Sequence, residues 1–261
     1  MDYQTIRIDV DSRGVATLRF MMPEKHNVLS AQAIQDLSSA MVDLGLRADV
    51  RVVVLAGDGP SFCAGGDLGW MREQMAADRA TRIREATKLA MMLNALNTLP
   101  KPLIGRVQGN AFGGGVGMMS VCDIAIGVEG AKFGLTEVKL GIIPATISPY
   151  VIARMGEAKA RRVFFSGRLF GAEEARELGL LAKVVAPEAL DLAIETEVLP
   201  YLAAAPGAVA RSKALARSLG PRIDETVIAQ TIAHLADAWE QDEAKEGISA
   251  FFEKRKPNWL L

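Results

Sequence analysis

Apolar and polar residues alternate from Thr5 to Val10, with Ile6, Ile8 and Val10 on one face, and again over VATLRF, Val15 to Phe20. The polar turn Asp11-Ser12-Arg13-Gly14 joins the two runs, and the pattern predicts a β-hairpin. Past MPEKHNVLS the period changes to that of an amphipathic helix running from an N-cap at Ser30 to about Arg47. RVVVLA, Arg51 to Ala56, is a short unbroken apolar run and predicts a fully buried strand. A glycine- and proline-rich loop covers Gly57 to Gly66, DLGWMREQ turns helical, and a long helix spans about Asp78 to Leu99 until Pro100 and Pro102 stop it. Further strands are predicted at Leu103 to Val107 and Asp123 to Val128, with a glycine-entered helix between them. Strand and helix alternate, which implies an α/β architecture with right-handed crossovers.

The later pattern is different in kind. Short β segments alternate with glycines in KFGLTEVKLGIIP, Lys132 to Pro144, and amphipathic helices follow at about Ser148 to Met155 and Glu157 to Phe165. Beyond Pro187 the chain reads as almost wholly helical, through Ala193, Val209, Ile228 and Leu235 to the terminal AFFEKRKPNW. A late helical block after an α/β core suggests a subunit contact. The expected organisation is a core over residues 1–200 and a C-terminal helical region over 201–261.

Composition narrows the classes. Of the 261 residues 50% are hydrophobic and 23% charged, enough for a large core. A net charge of −1 argues against nucleic acid as the main partner, since phosphate backbones call for a concentrated basic surface. No run reaches the roughly 20 apolar residues of a membrane span, and MDYQTIRIDVD lacks a secretory apolar stretch. A soluble, cytoplasmic protein without a membrane partner is the expectation. Cys63 and Cys122 form no disulfide or zinc pattern, and with only His26 and His234 present no metal site is expected.

Candidate chemistry gathers in two glycine-rich loops, FCAGGDL at Phe62 to Leu68 and FGGGVG at Phe112 to Gly117. Each glycine inside a helix costs about 1 kcal/mol against alanine, so the triplet Gly113 to Gly115 points to a close backbone approach. If the preceding strands share a sheet, both helix N-termini open at its carboxyl edge, where two main-chain N–H groups would make an oxyanion hole. The alternative is two tight turns with close helix packing. Neither loop is a nucleotide motif, because the Walker lysine and G-x-G-x-x-G are missing, and no G-x-S-x-G marks a serine hydrolase. Glu137 lies in an otherwise apolar stretch, where burial would raise its pKa and suit it to proton transfer; the alternative is a solvated charge beside Lys139.

FCAGGD, FGGGVG…CDIAI, FGLTEVKLGIIP and the terminal FFEKRK, in this order and at these separations, resemble the enoyl-CoA hydratase/isomerase (crotonase) superfamily over essentially the whole chain. FCAGGDLGWM with EVKLGIIPATISPYV looks most like its bacterial methylglutaconyl-CoA hydratase group, which belongs to leucine degradation. The resemblance implies a crotonase-like spiral of repeated β-β-α units whose C-terminal helices build a homo-oligomer, a trimer or a dimer of trimers. It implies an acyl-CoA thioester as substrate, coenzyme A being part of that substrate, with no tightly bound cofactor. The thioester oxygen would be held by the N–H groups of Gly66 and Gly114, with Glu137 as the catalytic carboxylate. Lys25, Ala64, Gly65, Asp67 and Leu68 match positions lining the coenzyme, and Lys254 a lysine reaching a neighbour's nucleotide.

One position departs from the family's pattern. The best-known hydratases carry a second glutamate where this chain has Gly117, and PATISPY, Pro144 to Tyr150, replaces a glycine-rich run. Reversible hydration of a 2-enoyl-CoA, 3-methylglutaconyl-CoA foremost, is the expected reaction. A double-bond isomerase using Glu137 alone and a non-catalytic acyl-CoA-binding protein are the alternatives. The space left by Gly117 is expected to admit a β-branched acyl group or to let the substrate's own carboxylate order the water. Trp70, Gly117, Thr146 and Tyr150 are the candidate pocket residues, and Arg72, Arg84 and Arg154 candidate partners for a distal carboxylate.

Overall fold

The computed structural model describes residues 3–260; Met1, Asp2 and Leu261, at the outer ends of the two expected regions, lie outside it. The hairpin forms as β1 (Ile6–Val10) and β2 (Val15–Phe20), antiparallel from Ile6 opposite Phe20 to Val10 opposite Ala16. Ser30 caps α1 (Ala31–Leu46), its hydroxyl accepting from the Ala33 N–H at 3.2 Å. β3 (Val52–Gly57) is buried along its whole length because parallel neighbours flank it on both edges and a C-terminal helix packs against it.

After β3 the chain departs from a simple alternation. β4 (Ser61–Cys63) follows directly, then α2 (Leu68–Ala76) and α3 (Arg79–Thr98). The next turn runs β5 (Leu103–Val107), β6 (Asn110–Phe112) and α4 (Gly114–Ser120), and the one after it β7 (Ile124–Val128) and β8 (Lys132–Gly134). α5 (Ser148–Met155), α6 (Glu157–Ala160), β9 (Leu169–Gly171), α7 (Ala172–Leu178) and β10 (Lys183–Val185) complete the core. Each turn gives one strand to a six-stranded sheet, β1-β2-β3-β5-β7-β10, and one to a four-stranded sheet, β4-β6-β8-β9. This is a spiral of β-β-α turns. The second sheet was not legible as such: its strands are three residues long, too short to show a period of two.

The helix expected over Glu157 to Phe165 ends at Ala160. Beyond it the Arg162 and Val163 N–H groups reach back three residues, tightening the chain so that Val163 drops into the main core. The C-terminal helices are α8 (Leu190–Ala203), α9 (Pro206–Leu219), α10 (Glu225–Glu240) and α11 (Asp242–Phe252). α8 packs on β3, β5 and β7. α10 lies against α3, and α11 against the 3-10 turn Glu137–Leu140. Ile228, Ile232, Leu235 and Trp239, spaced at helical intervals along α10, close a second hydrophobic cluster with Met71, Ala86, Ala90 and Ile142. Three of these helices, α8, α10 and α11, therefore pack on their own chain, whereas α9 buries no residue.

Candidate active site

Three neighbouring strands of the small sheet position the site. β4, β6 and β8 are parallel to one another, so their carboxyl ends emerge side by side. β4 leads into Ala64 to Gly66, β6 into Gly113 and Gly114, and β8, after Leu135 and Thr136, into Glu137. The glycine loops thus follow strands of the small sheet rather than the long buried strands β3 and β5.

Leu29 holds the first loop. Its N–H donates to the Gly65 carbonyl at 2.7 Å and its carbonyl accepts from the Asp67 N–H at 3.3 Å, a one-residue parallel bridge to Gly66. In such a ladder the residue between the two contacts turns its own N–H away from the partner segment, which leaves the Gly66 N–H outside the bridge, and Gly66 lines the cavity. On the second loop Gly114 is the first residue of α4, where a helix N–H has no acceptor within its helix. The loops touch: the Gly114 nitrogen lies 3.4 Å from where a Cβ on Gly65 would sit. Gly65 (φ +92°) and Gly113 (φ +49°) hold left-handed backbone that side chains disfavour.

Glu137 begins the 3-10 turn. Its Oε1 lies 2.9 Å from where a Cβ on Gly113 would stand, so the missing side chain at Gly113 makes room for the carboxylate. Oε2 is sealed from solvent and has no hydrogen-bond partner among the described residues. Desolvation pushes the carboxyl up to about 7, its own backbone N–H opposing weakly. A carboxyl poised near neutrality can give or take a proton at physiological pH.

A largely apolar cavity of about 320 Å³ joins these groups. Gly66, Gly114 and Glu137 line it, as do Ala64, Gly65, Leu68, Trp70 and Thr146. Others of the expected residues lie elsewhere. The Asp67 side chain caps α2, accepting from the Trp70 N–H at 3.0 Å. Lys25 and Lys254 stand outside the lining, Lys25 beside the segment whose His26 carbonyl accepts from Ala64, Lys254 in left-handed backbone just beyond α11. Tyr150 is buried away from the cavity, on a small hollow shared with Arg154, its hydroxyl without a partner among the described residues.

Gly117 corrects an expectation. A Cβ there would overlap the side chain of Ile147, so the place beside Gly117 is taken by Ile147 rather than left open, and Gly117 is not part of the cavity lining. None of the three arginines reaches the cavity lining. The Arg72 guanidinium stacks 4.6 Å from the Phe252 ring, Arg84 is exposed beside Thr81 and Glu85, and Arg154 donates to the carbonyls of Ser120, Cys122 and Asp123. Burial pushes both Cys63 and Cys122 up to about 12, which leaves them inert thiols. Among the described residues no His, Cys, Asp and Glu cluster could hold a metal, and no helix is long and apolar enough to cross a membrane.

Sequence reasoning missed Leu29, Leu140, Leu235, Trp239 and Phe251 of the lining. Leu235 was placed only within a helical block, and nothing in the local pattern tells that Leu235 and Trp239 reach the cavity. Also missed was Asn27, fully buried at φ +53°, whose side chain accepts from the Met22 N–H and donates to the Asp58 and Ser61 carbonyls. It ties down the loop that leads into β4.

A fold that brings two glycine loops and a carboxyl with one solvent-sealed oxygen to a single apolar cavity is the frame of an enzyme. The family description enoyl-CoA hydratase/isomerase matches residues 11–260. The chain belongs to that family, whose members act on coenzyme A thioesters. It is 32% identical over 260 residues to the enoyl-CoA hydratase AKT6-1 of Alternaria alternata, covering 95% of this chain and 85% of the other. The crystal structure of an enoyl-CoA hydratase from Shewanella pealeana superposes with a TM-score of 0.81 at 35% identity, covering 98% of this chain and 96% of the other. One from Mycobacterium avium gives 0.85 at 30%, covering 99% and 100%.

Proposed function

We propose that this enzyme adds water reversibly across the C2=C3 bond of a 2-enoyl-CoA. The N–H groups of Gly66 and Gly114 hold the thioester oxygen as it gains charge on forming the enolate; one such donor is typically worth roughly 3 kcal/mol in the transition state. Water oxygen bonds to C3 and gives up one proton to the Glu137 carboxylate as the π pair moves toward the thioester, and the Glu137 carboxyl delivers a proton to C2 as the enolate collapses. In the dehydrating direction the carboxylate removes the C2 proton and returns it to the hydroxyl that leaves C3 as water. The observation that carries the reading is the solvent-sealed, unpartnered Oε2 of Glu137 in the cavity both glycines line.

Within that class our candidate substrate is 3-methylglutaconyl-CoA. EVKLGIIPATISPYV supports it by resemblance, and so does the lining, in which Lys139 is the one basic side chain available to a distal carboxylate. The absence of a second glutamate also removes a charge that would repel that group. Assembly as a trimer or a dimer of trimers, with 201–261 contributing to the contact, belongs to the same proposal; light scattering on the purified protein tests it.

A specific observation favours a second reading. With Ile147 filling the place at Gly117, Glu137 is the one carboxylate on the cavity lining, and a single base suffices to move a proton between C2 and C4 of a 3-enoyl-CoA. Incubation in ¹⁸O-labelled water separates the two. Loss of the conjugated thioester absorbance from 3-methylglutaconyl-CoA or 2-butenoyl-CoA, with label in the product, supports hydration. Conversion of a 3-enoyl-CoA to its 2-enoyl isomer without label selects isomerisation.

A further inference from the structure

Trp239 has two sides. One lines the apolar cavity, in company with Leu235 of the same helix; the other lines a separate hollow of about 280 Å³ bounded by Met75, Arg82, Glu240, Ala244 and Lys245. The indole is buried at 4% exposure within the cluster that joins α10 to α2 and α3. It is the side chain common to the two spaces, and so the wall between them.

The wall is braced from behind. The Arg82 guanidinium sits 5.6 Å from the Trp239 ring, on the side of the second hollow, in cation–π range. Its Nε donates to the Gln74 carbonyl at 2.8 Å and Nη2 to the Met75 carbonyl at 3.1 Å, the last turn of α2. One arginine thus fixes the indole and anchors the helix whose Trp70 and Met71 also line the cavity. The second hollow carries three charged side chains, Arg82, Glu240 and Lys245, where the first is largely apolar.

We propose that Trp239, held by Arg82, is the partition that limits the acyl chain and confines this enzyme to short acyl groups. The inference rests on reading the cavity as the acyl site. A chain long enough to reach the indole meets a rigid wall, and removing the wall joins the two hollows.

The test compares full-length wild type with Trp239→Ala, Trp239→Leu and Arg82→Ala in two readouts. The first is the ratio of kcat/KM for 2-decenoyl-CoA over 2-butenoyl-CoA; the second is the ratio of Kd values for the saturated decanoyl- and butanoyl-CoA by calorimetry. Both ratios should shift toward the long chain by about tenfold or more in Trp239→Ala, since a few methylenes in an apolar pocket discriminate on that scale. Trp239→Leu should shift less, and Arg82→Ala by about threefold through loosening of the stacked ring. Should Trp239→Ala fail to fold, the other two carry the comparison. Unchanged ratios in the folded variants overturn the partition. Wild type that binds saturated acyl-CoA but turns over no enoyl-CoA overturns the proposed reaction instead, while the Kd ratios still test the wall. Protein that binds neither acyl-CoA overturns both.

Discussion

Gly66 and Gly114 line one cavity from two loops that touch, yet what surrounds each of the two positions differs sharply. Around the Gly114 loop every added Cβ meets protein: Glu137 at Gly113, the Leu29 side chain at 2.8 Å from Gly114, and the Cys63 carbonyl at Gly115. At Gly66 it would meet nothing within 4 Å. The triplet is therefore glycine because α4 must press against β4 and the Glu137 carboxyl, whereas Gly66 faces the open cavity. A glycine required by packing and one facing open space predict opposite kinds of damage when replaced.

The largest effect is expected at Gly115. Alanine there drives a methyl into the Cys63 carbonyl between two fixed backbones, and a loss of at least about 4 kcal/mol, read as failure to yield folded protein or a collapse in Tm, should follow. Normal stability in Gly115→Ala would break the packing half of the comparison.

Glu137 comes next, through its burial. Because its carboxyl is raised from 4.5 to about 7 in the native state, the folded protein binds more protons than the unfolded chain between those values. Stability should fall as pH rises through that window, with the penalty fully present above pH 7. Glu137→Gln should therefore gain about 3 kcal/mol relative to wild type between pH 4 and pH 8, seen as a Tm advantage that grows with pH. A Tm difference independent of pH would contradict the enclosed carboxyl.

Asn27→Ala removes the three hydrogen bonds of a fully buried side chain and leaves alanine at φ +53°; a loss of about 2 kcal/mol is expected by chemical denaturation. Smallest in stability is Gly66→Ala, which should change it by under about 0.5 kcal/mol, since surface-like positions in permissive backbone tolerate a methyl. It should nonetheless lower kcat/KM about tenfold by crowding the oxygen that the N–H must reach. Gly66→Ala with unimpaired kinetics would remove Gly66 from the proposed pair.

The same contrast explains what was legible in the chain. Ser30 as a cap, the hairpin, the buried β3 run and the two glycine loops are local patterns, each fixed by residues within a few positions of one another. For Glu137 the local sequence left two readings, burial among apolar neighbours and a solvated charge beside Lys139, and only the fold brings its carboxyl against Gly113 with Oε2 sealed from solvent. Contacts between distant segments were not legible. Ile147 lies thirty positions from Gly117, and nothing local tells that its side chain takes the glutamate's place. Trp239 lies farther still from the cavity's glycines, and Arg154, which looked free to meet a substrate, is held by three carbonyls around the end of α4. Strands of three residues such as Ser61–Cys63 and Lys132–Gly134 carry too little pattern to announce the sheet that aligns the site.

The central claim is that the one carboxyl at the two amides does the proton transfer. The most direct measurement is turnover of a 2-enoyl-CoA by Glu137→Gln beside calorimetric binding of the saturated acyl-CoA to the same protein. Loss of kcat by about 10²- to 10⁴-fold, with Kd changed less than about threefold, is the predicted result for a group that acts in the transition state. Unchanged turnover in a variant that binds normally would contradict it.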